Sequence, residues 1–385
     1  MLVVARRRCC RARDFWKYQR QPSNLTAQFP LGVVVKVLWL GVLATALALT
    51  GCGKSETSKP VTLFQWEDYV QAPFLKGYED RYKEKPGTSI FADEDEAFAK
   101  MRAGFKPDVM GPCLYSLPRW KAAGLIQPIE TSKLKNWNKI SPTLRNLPEI
   151  QAGPGKVWFV PHYWGNTSLT IRTDLAPEYA KSQSWNILFD PKYKGRISVL
   201  DGVDDVVPFV AKMIGIDAYT MTDPQWEQVK AKLKELMPQL RVISADNATL
   251  EQGLASGELV ATMSWRTTFA HLNREHKPVA YLTPPGGIFT YVCGLVVHKD
   301  PSNEEKALAL IDSGIADDAA VFMVTRIGDE PANTEAMKQV PDQVYTDLQI
   351  PKDLDTFLKS GTFQKPLPNK DKIVAAWQEI RSGVQ

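Results

Sequence analysis

From Val61 onward the chain alternates short apolar runs with segments of helical period, and this alternation limits it to a few layered folds. Val61-Thr-Leu-Phe-Gln-Trp66 reads as a strand, residues 73–85 as a helix and Thr88-Ser-Ile-Phe91 as a second strand. Residues 95–105 follow as a helix whose apolar face runs through Phe98, Met101 and Phe105. Pro107-Asp-Val-Met-Gly-Pro112 reads as a short buried strand ending in a turn, and residues 116–124 as a helix stopped by Gly124. A β-α-β-α-β order needs crossover connections, so an α/β fold with a mostly parallel, helix-covered sheet is expected. Helical segments recur at 206–215, 223–237, 248–256, 265–277 and 303–313, with short strands at 196–200, 258–264 and 293–298. At 385 residues the chain exceeds what one core usually serves, so two lobes are expected. Ligands of such folds sit beyond the carboxyl ends of strands, which places the site in a cleft between the lobes.

The region before Val61 has a different character. Residues 37–50 form an uncharged apolar run of 14 residues. That is short of the roughly 20 needed to cross a bilayer but is the length of a signal-peptide core. It ends in Leu49-Thr50-Gly51-Cys52, which resembles the lipobox of bacterial lipoproteins and implies a thioether-linked lipid on Cys52 and cleavage after Gly51. At about 0.8 kcal/mol per buried methylene, several acyl chains hold a protein at a membrane. A core helix with a chance cysteine is the alternative, but the polar run Gly53-Lys-Ser-Glu-Thr-Ser-Lys-Pro60 that follows is a tether. Residues 1–33 fit a signal peptide poorly. Arg6-Arg7-Arg8 suggests twin-arginine export but lies about 30 residues from the apolar core, so a true start near residues 33–35, with Lys36 as the basic end, explains the leader better.

Charge follows the same division. Residues 1–36 carry eight basic side chains and one acid, +7, in a chain of net +4, which leaves −3 for residues 37–385. A mildly acidic body argues against a nucleic-acid partner and suits a cationic ligand. With Cys9 and Cys10 in the leader and Cys52 as lipid acceptor, Cys113 and Cys293 remain. Two cysteines make no disulfide framework, so free thiols are expected, with a bridge as the alternative.

Enzyme signatures are scarce: no Gly-x-Ser-x-Gly, no phosphate loop and no Cys-x-x-Cys occurs, and His162, His271, His276 and His298 are dispersed. Each histidine reads as surface or structural; no metal or other cofactor is implied, and no enzyme is expected. Aromatic residues near acids are the stronger signal. Trp66-Glu67-Asp68-Tyr69 follows the first strand, Tyr115 the third, Trp265 the strand at 258–264, and Tyr291 follows Pro284-Pro-Gly-Gly-Ile-Phe289. An ammonium group in a closed cleft needs carboxylates to replace its hydration and aromatic faces to hold it, each face contributing about 0.5–2 kcal/mol. Taken singly, each of these aromatics is better explained by a core position; their recurrence at strand-to-loop junctions puts the ligand reading of the set on equal terms.

Together these blocks resemble the periplasmic spermidine/putrescine-binding proteins of polyamine ABC transporters, within the extracellular solute-binding proteins. Leu63-Phe-Gln-Trp-Glu-Asp-Tyr-Val70, Asp108-Val-Met-Gly-Pro112 with Tyr115, and Val160-Pro-His-Tyr-Trp-Gly165 carry the likeness. So do Gly124-Leu-Ile-Gln-Pro-Ile129, Ser184-Trp185, Asp190-Pro-Lys-Tyr-Lys-Gly195, Pro285-Gly-Gly-Ile-Phe289, Arg326-Ile-Gly328 and Gly361-Thr-Phe-Gln364. The resemblance implies a type II-like two-lobed periplasmic-binding fold with two crossovers and a hinge closing over one ligand. Lobe 1 is expected over residues 61–165 with 290–335, and lobe 2 over 166–289 with 336–385. Residues 1–51 would be leader and signal peptide, and 52–60 the tether.

Position by position, Trp66, Tyr69, Tyr115, Trp265 and Gln364 match family ligand contacts, and Asp205 stands where a Glu contacts an amine. Glu67 adds an acid where a hydroxyl is usual. Cys113 replaces a pocket serine, Gly202 replaces an aspartate near Asp201 and Asp204, Tyr291 and Cys293 lie where a Trp and an acid are expected, and Asp329 stands in place of a Tyr. The resemblance implies a monomeric, lipid-anchored periplasmic protein that delivers a putrescine- or spermidine-like amine to a membrane permease. The moved acids keep a zwitterion, another organic cation, or a sensor role as alternatives; a zwitterion would need Arg172, Arg266 or Arg326 in the cleft.

Overall fold

The computed structural model describes residues 59–284 and 287–382. The expected leader, the Cys52 acceptor and the tether up to Ser58 lie outside the described residues, as do Pro285 and Gly286 of the Pro-Gly-Gly block.

The first lobe is built on β1 (Thr62–Trp66), α1 (Ala72–Tyr82), β2 (Gly87–Phe91), α2 (Glu94–Arg102) and β3 (Val109–Met110). The strands pair in parallel, Thr62 beside Gly87 and Leu63 beside Val109. Helix α1 begins with Pro73 in its first turn, where a missing N–H costs nothing, and buries Phe74, Leu75 and Tyr78. Helix α2 begins on Asp93, whose carboxylate accepts the Glu96 N–H at 2.7 Å. Three acids occupy its first turn and favour the positive end of the helix dipole.

Next comes β4 (Val160–Arg172), a strand of 13 residues whose side chains are buried on both faces apart from partly exposed Arg172. Only the family resemblance touches it, through its first six residues; periodicity misses it because a doubly buried strand shows no apolar–polar alternation. The second lobe contains β5 (Ile197–Val199), α3 (Val203–Met213), β6 (Leu240–Ile243), β7 (Ala261–Trp265) and α4 (Arg266–Arg274). The chain returns through β8 (Phe289–His298), continues into α5 (Glu304–Gly314) and ends with α6 (Lys370–Arg381). The main path of the sheet runs β6-β5-β7-β4-β8-β3-β1-β2.

Strands β4 and β8 run antiparallel from the Val160–Leu295 pair to the Thr167–Phe289 pair and cross from one lobe to the other. At one end β8 pairs with β3, and at the other β4 pairs with β7. Two apolar cores flank them. Phe64, Trp120, Phe159, Trp164 and Val296 belong to the first, and Ile197, Phe209, Trp226, Met263 and Trp377 to the second. Leu348, Ile350, Leu354 and Leu358, assigned from sequence to the second lobe, pack in the first core. The chain joins the second core from Leu367 onward. Between them, Thr362 and Phe363 pair in parallel with the start of β8. An apolar helix pattern shows that a face is buried but not which core it faces.

Cys113 and Cys293 form a disulfide, which corrects the expectation of free thiols. Their backbones face each other as an antiparallel bridge beside the irregularity in β8 between Cys293 and Gly294. The 180-residue separation hides this adjacency, which arises because β3 lies next to β8. Closing a loop of that length restricts the unfolded chain, so Cys113→Ser with Cys293→Ser is expected to lower unfolding free energy by roughly 2–5 kcal/mol. Urea unfolding with and without reductant measures this; a midpoint insensitive to both treatments contradicts the bridge.

Candidate ligand-binding cleft

Between the lobes lies a cavity of about 510 Å³, within the size range of small-molecule sites. Its walls come from residues that follow strands: Trp66 and Tyr69 after β1, Asp93 and Glu94 after β2, Cys113 and Tyr115 after β3, Asp201 and Asp205 after β5. Trp265 ends β7, while Tyr163 and Tyr291 project from the two crossing strands. Of the ten expected contact residues, Trp66, Tyr69, Cys113, Tyr115, Asp205, Trp265, Tyr291, Asp329 and Gln364 line the cavity.

Glu67 does not. Residues Glu67–Val70 form one turn of 3₁₀ helix, with about three residues per turn, so Trp66 and Tyr69 share a side and Glu67 is rotated off it. It is exposed, and its neighbour Asp68 contributes to the wall instead. The four consecutive acids Asp93–Glu96 are missed as wall residues in the sequence, where a helix is read only from Asp95, although their position just after a strand is a usable signal. Tyr163 escapes sequence reasoning because it sits within a doubly buried strand.

Tyr69 and Tyr163 stack with ring centres 3.9 Å apart. Beyond them is Asp329, which accepts hydrogen bonds from the Tyr69 hydroxyl and, at 2.8 Å, from the Tyr291 hydroxyl. Gly165 makes this possible: it pairs with Tyr291, and a Cβ there would collide with the tyrosine oxygen. Burial pushes the Asp329 carboxyl up to about 6, against the pull of the two phenols.

Asp205 is the second acid of this kind. It accepts from the Thr167 hydroxyl at 2.8 Å and the Gln364 amide at 2.9 Å, and burial pushes it up to about 6. Gln364 thus fixes Asp205 as well as lining the wall. Glu94 accepts from the Cys113 N–H and, at 2.7 Å, from the Ser116 hydroxyl, and burial pushes it up to about 7. Around Gly202 the neighbouring acids do reach the cleft. Asp201 accepts from the Trp377 indole at 2.9 Å and pairs with Arg381, while Asp204 meets Lys370 at 2.6 Å.

Nine carboxylates line the cavity against one basic side chain, Arg381, so its field favours a cation. Arg172, Arg266 and Arg326 are not among the lining residues. Arg172 pairs with Asp174 at 2.8 Å, and Arg266 lies buried 3.3 Å from Glu330, with its guanidinium over the Tyr281 ring. The histidines are not in the wall either: burial pushes His162 down to about 3, keeping it neutral, and His271 pairs with Glu251.

A family model described as bacterial extracellular solute-binding protein matches residues 88–352. The chain is 25% identical over 346 residues to the spermidine/putrescine-binding periplasmic protein of Escherichia coli, covering 88% of this chain and 97% of that one. Its fold is similar to that of a lipoprotein of Treponema pallidum, with a TM-score of 0.70, 19% identity and coverage of 84% and 99%. It is also similar to a binding protein of A. tumefaciens solved with glucopine, with a TM-score of 0.69, 14% identity and the same coverage. These similarities agree with a two-lobed binding-protein fold.

The raised carboxyls give the cleft a defined pH response. A cation binds their ionised form, so its affinity is expected to fall as pH drops from about 7.5 to 5.5, through the 6 of Asp205 and Asp329 and the 7 of Glu94. Binding near pH 6 then releases protons, which calorimetry in two buffers of different ionisation enthalpy detects. In the empty protein the sign is opposite for stability. The folded state holds protons that the unfolded state has lost above its ordinary carboxyl values, so these groups stabilise the fold less as pH rises towards 7.

Proposed function

The chain belongs to the bacterial extracellular solute-binding proteins, and we propose that it serves an ABC importer by capturing a small organic amine of the putrescine and spermidine class. One observation carries the choice of ligand. Asp329 is buried and Asp205 partly buried in an aromatic-walled cleft, each with neutral hydrogen-bond donors and no ion-pair partner among the described residues. Isolating such carboxylates is unfavourable, as their raised pKa values express, and an ammonium group reverses that penalty. Trp66 adds a fixed aromatic face, because its indole N–H donates to the Gly111 carbonyl at 3.1 Å and holds the ring at the cleft wall.

A fold of this kind also holds glucopine in the A. tumefaciens protein, so architecture alone does not select the solute. The E. coli relative is a spermidine/putrescine-binding protein, and this similarity together with the acidic wall here supports an amine. As a member of a solute-binding family, the protein acts by capture and release and is not an enzyme. Ligand touching both lobes would favour closure about β4 and β8, and a permease reads that closed form. The signal-like run and the lipid on Cys52 would hold the protein in the periplasm at a membrane surface.

Titration calorimetry with putrescine, spermidine and γ-aminobutyrate tests the ligand class. Heat with an amine but not with γ-aminobutyrate is expected, and Asp329→Asn should weaken binding by about 2–4 kcal/mol, roughly 30- to 1,000-fold. No heat with either amine overturns the amine reading; heat with γ-aminobutyrate alone points to a zwitterion. Cys52→Ala is expected to move the protein from the membrane pellet to the soluble fraction, and unchanged sedimentation counts against the anchor.

A further inference from the structure

One cation beside the cleft plays a part that neither the sequence nor the wall residues suggest. Lys370 opens α6 in the second lobe, and its ammonium lies 2.6 Å from Asp204 of that lobe and 3.2 Å from Asp95 on α2 of the first. The same ammonium is 5.7 Å from the centre of the Tyr115 ring. Its side chain is 17% exposed. Two carboxylates and an aromatic face around a largely desolvated primary alkylammonium are what the cleft would offer to a free amine.

We propose that Lys370 is a built-in counter-ion at the edge of the cleft: its ammonium fills the cation position between Asp95 and Asp204, ties the two lobes together there, and limits the solute to two cationic ends. This rests on the amine reading of the site. The pairing of acids supports it. Asp201 is taken by Arg381, Glu96 by Lys100, Asp95 by Arg119 and Lys370, and Asp204 by Lys370. Glu94 lies 3.9 Å from Arg119, so among the described wall carboxylates that are buried or partly buried, Asp205 and Asp329 are the two left with neutral partners alone. A diamine satisfies both. A third ammonium directed at Asp95 and Asp204 would meet the like charge of Lys370 already seated there. Lys370 therefore acts as a specificity-determining residue.

Lys370→Met keeps much of the aliphatic stem and removes the charge, and Lys370→Arg keeps the charge. Calorimetry with putrescine and spermidine at pH 7.5 compares both variants with wild type. Wild type is expected to bind putrescine more tightly than spermidine. In Lys370→Met the spermidine-to-putrescine affinity ratio should rise at least tenfold, whereas Lys370→Arg should keep the wild-type ratio. An unchanged ratio in Lys370→Met, or the same rise in Lys370→Arg, overturns the proposal; Lys370→Gln replaces the Met variant if that fails to fold. Small-angle scattering without ligand gives a second readout: the radius of gyration should increase when the charge is removed, and equal radii refute the tie between lobes. If neither amine binds wild type or variant, the amine reading falls, and scattering alone decides the role of Lys370.

Discussion

The antiparallel pairing of β4 with β8 is the part of the structure that both lobes share. One edge of this pair continues the first-lobe sheet through β3, and the other continues the second through β7. At the crossing the side chains change from apolar to polar: Asn166, Thr167, Ser168 and Thr170 are all fully buried. Each has a fixed partner. Asn166 donates to the Thr290 hydroxyl and accepts from Arg266, Thr167 donates to Asp205, Ser168 donates to the Leu282 carbonyl, and Thr170 meets Ser264. A satisfied polar network of this kind specifies one register, because slipping the strands would leave several buried polar groups without partners at once.

The same crossing organises the site. Thr167 reaches Asp205, and Gly165 clears the space through which Tyr291 reaches Asp329, so both unpaired carboxylates are positioned by residues of the crossing strands or by their direct partners. The Cys113–Cys293 bridge ties the loop that carries Tyr115 to β8. Under the proposed function, groups that would meet the solute are tied directly to the two crossing strands, which would give ligand contacts leverage on closure.

The acids of the cleft divide by what holds them. Those near Arg119, Lys370 and Arg381 are neutralised by the protein itself, whereas Asp205 and Asp329 are held by hydroxyl and amide donors that orient a carboxylate without cancelling its charge. Counting acids along the chain cannot make this distinction, because it depends on which cations lie within about 4 Å of each.

Local pattern is enough for the layered α/β architecture and several aromatic residues at strand ends, and chain length for the two lobes. Periodicity and caps are local, and the helix Asp223–Leu236 begins where a capping box, Thr222 with Gln225, says it should. Trp66, Tyr69 and Trp265 are legible from their place at strand ends, whereas Asp205 comes only from the family resemblance; all four line the cleft. The rest was settled by how distant segments meet. Cys113 reaches Cys293, Leu348 to Leu358 serve the first core, Glu67 turns away and Lys370 spans the lobes. Those facts depend on distances between segments far apart in the chain, or on the rotation of a single 3₁₀ turn, and neither leaves a mark in composition or spacing.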